Sequence, residues 1–95
     1  MTGVPKYLTL RVRGSIQDKR VSVLIDSGAT HKFIDAQLVQ RREIPTDDFE
    51  EFSILFPRVR TMQYVLALSI TMGKYTLNYH LFVVNIPYTN FVLGV

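Results

Sequence analysis

An apolar segment that runs directly into an Asp-Ser-Gly turn places the strongest constraint on the fold of this chain. Residues 21–25 read Val-Ser-Val-Leu-Ile, and Asp26, Ser27 and Gly28 follow them without a break. A strand that ends in such a tight turn holds one carboxylate at a fixed, accessible position, where a protein can use it as an acid or a base. Asp, Ser and Gly are also common turn formers, so an ordinary strand end is the competing interpretation.

Length and composition limit the domain organisation and the compartment. The 95 residues predict one domain over residues 1–95, and a hydrophobic content of 47% is enough for a core of modest size. The chain contains no cysteine, which excludes disulfides and thiolate metal sites and leads us to expect an intracellular, cytoplasmic location. No apolar run approaches the ~20 residues of a membrane-spanning helix, so we expect neither a signal peptide nor a membrane partner.

The charge pattern gives little reason to expect a nucleic-acid partner. The net charge is +3, and the 11 Lys and Arg residues are spread along the whole sequence. A nucleic-acid-binding surface more often clusters its cations with aromatic side chains. The acidic residues concentrate in residues 47–51, Asp-Asp-Phe-Glu-Glu, which we expect to form a solvated loop.

Strand patterns dominate the first part of the sequence. Residues 7–13 alternate apolar and polar side chains after a Tyr-Leu start, which predicts a half-buried strand. Gly14 is expected to allow a bend or a bulge, and residues 15–19 to hold a turn. A second strand over residues 20–25 then leads to Asp26, which therefore lies at a strand end.

The rest of the chain adds more strands and one short helix. The helix-like spacing of Ile34, Leu38 and Val39 predicts a helical segment over residues 33–40, which ends before Pro45. The further predicted strands cover residues 52–56, 59–64, 65–72, 75–85 and 91–95. We expect a turn near Pro57, a hairpin at Gly73 and Lys74, and a loop over residues 87–90. Many short strands with turn signals predict an all-β fold, either a barrel or a sandwich.

The candidate chemistry depends on carboxylates. His31 and His80 lack companions at zinc-ligand spacing, and Ser27 has no visible His-and-acid partner, so we expect no metal, no cofactor and no serine nucleophile. One carboxylate cannot act as acid and base at once, but two close carboxylates that share one proton can, because the two cannot both ionise easily. The chain has one Asp-Ser-Gly turn, so a pair requires a twofold dimer.

Two separated segments resemble a known family. Residues 23–34, Val-Leu-Ile-Asp-Ser-Gly-Ala-Thr-His-Lys-Phe-Ile, are similar to the active-site segment of retropepsin-like aspartic proteases. Residues 92–94, Val-Leu-Gly, resemble the second signature of that family, two apolar residues and a glycine. The closest resemblance is to the protease region of gypsy-class retrotransposon polyproteins, over roughly residues 8–95. It implies a retropepsin-like acid-protease fold, a small closed barrel-like subunit with one short helix.

The resemblance also implies roles for individual residues, and aspartic proteases are the established example of a carboxylate pair that shares one proton. Asp26 would be the catalytic carboxylate, Ser27 would hydrogen-bond across the axis of a homodimer, and Gly28 would let the substrate backbone approach. The implied substrate-binding residues line the cleft or the flap over it, and they are Leu24, Ala29, Thr30, Val92 and the flap-tip residues Phe56, Pro57 and Arg58. Leu93 and Gly94 would form the second signature turn. The implied substrate is a peptide or a polyprotein.

Two departures from the family pattern keep other functions open. Residues 51–64 contain no glycine, although flap tips of this family commonly carry one, and Pro57 stiffens the turn. The sequence also stops at Val95, whereas family members continue into a helix and a last strand, so we expect a domain truncated at its C-terminus. The alternatives are a catalytically inactive dimerisation or peptide-binding module and, third, a small barrel that binds nucleic acid.

Overall fold

The computed structural model describes residues 8–52 and 59–94 of the chain. The elements in chain order are β1 (Thr9–Ile16), β2 (Lys19–Asp26), β3 (Lys32–Asp35), α1 (Ala36–Arg41), β4 (Asp47–Phe52), β5 (Val59–Met72), β6 (Tyr75–Val84) and β7 (Phe91–Gly94). The flap-tip residues named from the sequence, Phe56, Pro57 and Arg58, lie outside the described residues.

The strands close into a barrel, which confirms the predicted all-β class. The strand order is β1-β2-β7-β3-β6-β5-β4, and β5 also pairs back with β1 at Ser15 and Thr71. Six strands therefore form a closed ring, and β4 pairs with β5 outside it. Closure satisfies the backbone hydrogen bonds that the edges of an open sheet would leave unpaired.

The first hairpin differs from its predicted form. β1 continues through Gly14 to Ile16, and the turn consists of Gln17 and Asp18, whose φ angles are +48° and +63°. Two positive φ angles give the tight two-residue turn whose twist matches that of the flanking strands. The predicted five-residue turn was wrong, because Ser15, Ile16 and Lys19 still pair across the ladder, and no bulge interrupts the pairing at Gly14.

The segment predicted as helical is divided between two elements. Residues 33–35 belong to β3, and α1 begins only at Ala36. Phe33 and Ile34 pair with β7 on one side and β6 on the other, and Ile34 is fully buried. Pairing on both edges outweighs the weak helical period of a short segment. The helical half of the prediction is correct, because Leu38 and Val39 form the buried face of α1.

The structure differs from two further predictions in the β4–β5 region. The acidic residues 47–51 form most of strand β4 instead of a solvated loop. Among the described residues, this strand lies at the edge of the sheet outside the barrel, and edge strands tolerate charged residues. β5 is one strand of 14 residues where two were predicted, and a register shift between Val65 and Leu68 lies near the expected division.

The core fills the barrel with aliphatic side chains and one phenylalanine. Val23, Ile34, Ile70, Leu81 and Phe91 are almost completely buried and belong to one cluster. They come from five different strands, so the core connects the two halves of the chain. No helix in the described ranges is long and apolar enough to cross a membrane.

We predict that Gly14→Ala destabilises the barrel where β5 crosses β1. An added Cβ would lie 2.8 Å from the carbonyl oxygen of Thr71 and 3.3 Å from Cγ of Met72. Because backbone must shift, the free energy of unfolding should fall by about 1–3 kcal/mol in urea titrations. Gly73→Asn is the control: Gly73 has a φ of +61° with open space around it, and asparagine tolerates that conformation. Equal losses in both variants would contradict the close-approach explanation.

Candidate active site

Strand pairing brings the two signature segments together. β2 runs parallel to β7, with Leu24 opposite Val92 and Asp26 opposite Gly94. Asp26 therefore ends its strand directly beside the second signature, although the two segments lie at opposite ends of the sequence. Both segments also contribute to the core, because Val23 on β2 and Phe91 and Leu93 on β7 are buried in the barrel interior.

The turn after β2 fixes the orientation of the Asp26 carboxylate. The backbone N–H of Gly28 donates a hydrogen bond to Asp26 Oδ1 at 2.8 Å, and the N–H of Ala29 donates to the Asp26 carbonyl oxygen at 3.2 Å. The side chain of Asp26 is half-buried. A carboxylate held by a backbone donor has a defined direction, as a reacting acid or base requires.

Ser27 ties this turn to the residue that precedes β1. Its N–H donates to the carbonyl oxygen of Leu8 at 2.9 Å, and its Oγ accepts the N–H of Leu8 at 2.7 Å. The hydroxyl hydrogen is not used by this bond, since Oγ acts as the acceptor. The predicted hydrogen bond of Ser27 across a dimer axis stays a prediction.

Gly94 is the residue at which the second signature contacts the loop that follows Asp26. Its N–H donates to the carbonyl oxygen of His31 at 3.0 Å. An added Cβ would lie 2.7 Å from that oxygen and closer still to the carbonyl oxygen of Ala29. A side chain at this position would push the loop away from β7. The glycine is therefore required by the close packing of two backbones.

A cleft of about 290 Å³ opens beside Asp26. Besides Asp26, its walls are Ala29, Phe33, Val84, Asn85, Ile86, Tyr88 and Val92. Of the predicted substrate-binding residues, Ala29 and Val92 lie in these walls. Leu24 is the neighbour of Val92 on β2 and is half-buried, whereas Thr30 is exposed and its Oγ1 lies 2.8 Å from Nδ1 of His31.

Sequence reasoning missed more than half of the residues that line the cleft. Phe33 was assigned to a helix, and a helix does not predict that Phe33 pairs with Val92 on β7 and lies on the same face of the sheet. Val84, Ile86 and Tyr88 belong to the end of β6 and the loop that follows it. The Pro87 turn signal marked that loop correctly, but a turn signal does not indicate which surface the loop covers.

Hydrogen bonds attach the loop over residues 85–90 to β2 and β1. Thr89 Oγ1 lies 2.8 Å from Ser22 Oγ and donates to the Ser22 carbonyl oxygen at 3.0 Å. Asn90 Oδ1 accepts the N–H of Ser22 at 2.8 Å, and Arg11 donates to the carbonyl oxygen of Tyr88 at 3.0 Å. These contacts hold the loop that carries Ile86 and Tyr88 in the cleft wall.

Asp35 is a buried carboxylate in a different cavity from that of Asp26. Asp35 is 8% exposed, its Oδ1 accepts the N–H of Ile86 at 3.0 Å, and it lines a cavity that does not include Asp26. Asp35 thus holds the loop over residues 85–90 in place through its hydrogen bond with Ile86. Among the described residues, no group of three or more His, Asp or Glu side chains could hold a metal ion.

The sequence matches the family model of the gag-polyprotein putative aspartyl protease over residues 12–95. The chain belongs to this family. Its fold is similar to that of the retroviral protease-like domain of Ddi1 from Leishmania major, with a TM-score of 0.64 and 14% identity. That match covers 90% of this chain and 71% of the other, and at such low identity it concerns the fold alone. A comparison with curated proteins finds no match.

In this aspartyl protease family member, we predict that Thr89→Val loosens the cleft wall. The substitution keeps the shape of a buried side chain but removes the hydroxyl that bonds to Ser22. We expect a loss of about 1 kcal/mol in the free energy of unfolding, because the carbonyl oxygen and Oγ of Ser22 each lose one hydrogen-bond partner and keep only the N–H of Asn90.

Hydrogen exchange should also become faster at the amides of residues 85–90. Thr76→Val is the matched control, since Thr76 is exposed and its hydroxyl pairs with Thr71 on the β5–β6 hairpin. Its effect on stability should stay within about 0.5 kcal/mol. An equal effect of the two variants would show that the Ser22–Thr89 contact does not hold the loop.

Proposed function

We propose that this chain is the subunit of an aspartic endopeptidase, which hydrolyses peptide bonds with a water molecule activated between two Asp26 carboxylates of a homodimer. One carboxylate would accept a proton from the water while its protonated partner donates one to the substrate carbonyl. The substrate is a peptide or a polyprotein segment in the cleft beside Asp26.

The observation that carries the proposal is the oriented carboxylate at the cleft. Asp26 lies in the cleft wall, and Gly28 fixes its Oδ1 through a backbone hydrogen bond. The walls around it are mainly apolar, with Phe33, Val84 and Val92 among them. Apolar walls with a few polar groups suit the side chains of a peptide substrate. Membership of an aspartyl protease family agrees with this interpretation.

The need for two copies follows from the surroundings of Asp26. Asp35, the buried carboxylate nearest in sequence, lines another cavity and is engaged by Ile86. A second subunit related by a twofold axis would supply an identical Asp26. Leu8 and Leu10 are 73% and 62% exposed and flank the residue that pairs with Asp26, Thr9. We propose that these two side chains form part of the dimer surface.

We further propose that the chain comes from the protease region of a gypsy-class retrotransposon polyprotein. The resemblance of residues 23–34 and the family description, which names a gag polyprotein, support this origin. An intracellular location and the absence of nucleic-acid and membrane partners stay predictions of the same proposal. The runner-up function is a catalytically inactive dimerisation or peptide-binding module of the same fold.

We predict that Asp26→Asn removes peptide cleavage and leaves the fold intact. Asparagine keeps the shape of the side chain and its oxygen can still accept the Gly28 N–H, but it cannot share a proton. Cleavage of a peptide library should fall at least ~10³-fold, in line with the loss of a group that takes part directly in proton transfer. The melting temperature should change little.

The control for this experiment is Asp18→Asn, which changes an exposed aspartate in the β1–β2 turn. It should cleave like the unmodified chain. Undiminished cleavage by Asp26→Asn would refute the catalytic assignment. If no form of the chain cleaves the library but the cleft binds peptides, the runner-up function is correct.

We predict that activity depends on dimers and on the apolar side chains beside Asp26. Specific activity should rise with protein concentration until dimers saturate, because each subunit contributes one Asp26 to the proposed pair. Leu10→Glu should weaken the dimer and raise its dissociation constant by ~10-fold or more, because a charge replaces apolar contact area.

Leu77→Glu is the matched control for the dimer surface. Leu77 is 48% exposed and lies opposite Ile70, close to the point where β5 meets Ser15 at the far end of β1. It should leave association unchanged in sedimentation experiments. Concentration-independent activity from a monomer would contradict the dimer mechanism, and equal effects of the two substitutions would contradict the proposed surface.

A further inference from the structure

Strand register places a row of side chains on the outer face of the barrel, starting at the cleft. Val92 is paired with Phe33, Phe33 with Phe82, Phe82 with Tyr64, and Tyr64 with Asp47. Directly paired residues on neighbouring strands point to the same face of a sheet. These five side chains therefore follow one line across β7, β3, β6, β5 and β4.

The middle of this line is aromatic and accessible. We call Phe33, Phe82 and Tyr64 the aromatic row, and all three side chains are half-buried. The ring centroids of Phe33 and Phe82 are 6.3 Å apart, and the His31 ring meets Phe82 edge-on at 5.5 Å. Beside Tyr64 and Phe82 opens an apolar cavity of about 210 Å³. An aromatic surface of this kind offers ring faces to a ligand.

The aromatic row is continuous with the cleft at one end and meets a carboxylate at the other. Phe33 lines the cleft that contains Asp26. Asp47, at the first position of β4, is exposed and follows Tyr64 in the line. A guanidinium or ammonium group can stack on Tyr64 and pair with Asp47 at the same time. The net charge of +3 offers no general attraction for cations, so any preference must arise locally.

We propose that the aromatic row and Asp47 extend the peptide cleft, binding apolar or aromatic side chains of the substrate along the row and an arginine or lysine at Asp47. The inference rests on the proposed function of the cleft as a peptide site. It adds a substrate feature: a basic residue at a fixed distance from the bond beside Asp26.

The spacing of strands gives that distance. Val92 and Asp47 are separated by four strand steps. At about 4.8 Å for each step the line measures ~19 Å, which an extended peptide covers with about six residues. Curvature of the barrel shortens the path. The basic residue should therefore lie about four to six residues from the side chain that enters the cleft.

The experiment uses labelled peptides and the full chain carrying Asp26→Asn, which prevents cleavage. Each fluorescein-labelled peptide has about ten residues, with a central Phe and one test position about five residues away. The test position holds Arg in one peptide and Glu in its partner. A second pair has the test position on the other side of the Phe, because the line does not fix the peptide direction. Fluorescence anisotropy at neutral pH gives the affinities.

We expect the Arg peptide of one pair to bind ~5–10-fold more tightly than its Glu partner, the combined effect of an exposed ion pair and ring stacking. Asp47→Lys should remove or reverse this preference. Tyr64→Leu keeps an apolar side chain but removes the ring, and it should reduce the preference by about 3-fold. Melting curves should show that these variants remain folded.

Asp48→Lys is the matched control. Asp48 is the next residue of the same strand, is also exposed, and pairs with Gln63, so its side chain points to the opposite face. It makes the same change in net charge and should preserve the preference for Arg. Equal binding of Arg and Glu peptides, no binding of any peptide, or an equal effect of Asp48→Lys and Asp47→Lys would overturn the proposal.

Cleavage measured with the unmodified chain separates this proposal from the endopeptidase proposal. An Arg preference that depends on Asp47, without any cleavage, would support the extended cleft and refute the endopeptidase. A cleavage rate that depends neither on the test residue nor on Asp47→Lys would support the endopeptidase and refute the extended cleft.

Discussion

The parallel pairing of β2 with β7 is the interaction on which the rest of the structure depends. It sets Asp26 opposite Gly94, and the N–H of Gly94 then binds the carbonyl oxygen of His31 in the loop after Asp26. The loop is thus held from both sides, by its own strand and by the last strand of the barrel. Because the contact joins two backbones, no side chain can replace it, and Gly94 is the residue that permits it.

The same core strand also holds the cleft wall in position. Ser22 on β2 bonds to Thr89 and Asn90, while Asp35 on β3 bonds to the N–H of Ile86. The loop over residues 85–90 is therefore connected to two strands of the barrel by side chains that are buried or half-buried. A carboxylate fixed by Gly28 then faces a wall whose position is also fixed, which favours a preformed site over one assembled by the ligand.

Sequence reasoning predicted the parts of this site that local chemistry determines. The turn after Asp26, the all-β class and the β5–β6 hairpin at Gly73 follow from turn residues and alternation, and the structure contains each of them. Phe33 was assigned wrongly because the four residues of β3 lead directly into the six residues of α1. The apolar side chains of the two elements together have the spacing of one helix. The β4 assignment failed because an edge strand outside the barrel tolerates charges that normally indicate a loop. The cleft wall at Tyr88 depends on contacts with Arg11 and Ser22, which no local pattern encodes.

Register explains why core and surface cannot vary independently in this barrel. Successive residues of a strand point to opposite faces, so Val23 fills the interior while Leu24 faces the side of the cleft, and Ile34 fills it while Phe33 lines the cleft. A one-residue slip of β3 would place Phe33 in the core and expose Ile34. The burial of Ile34 between Phe91 and Val83 opposes that slip. Core packing therefore fixes which aromatic residues line the outer face and the cleft beside Asp26.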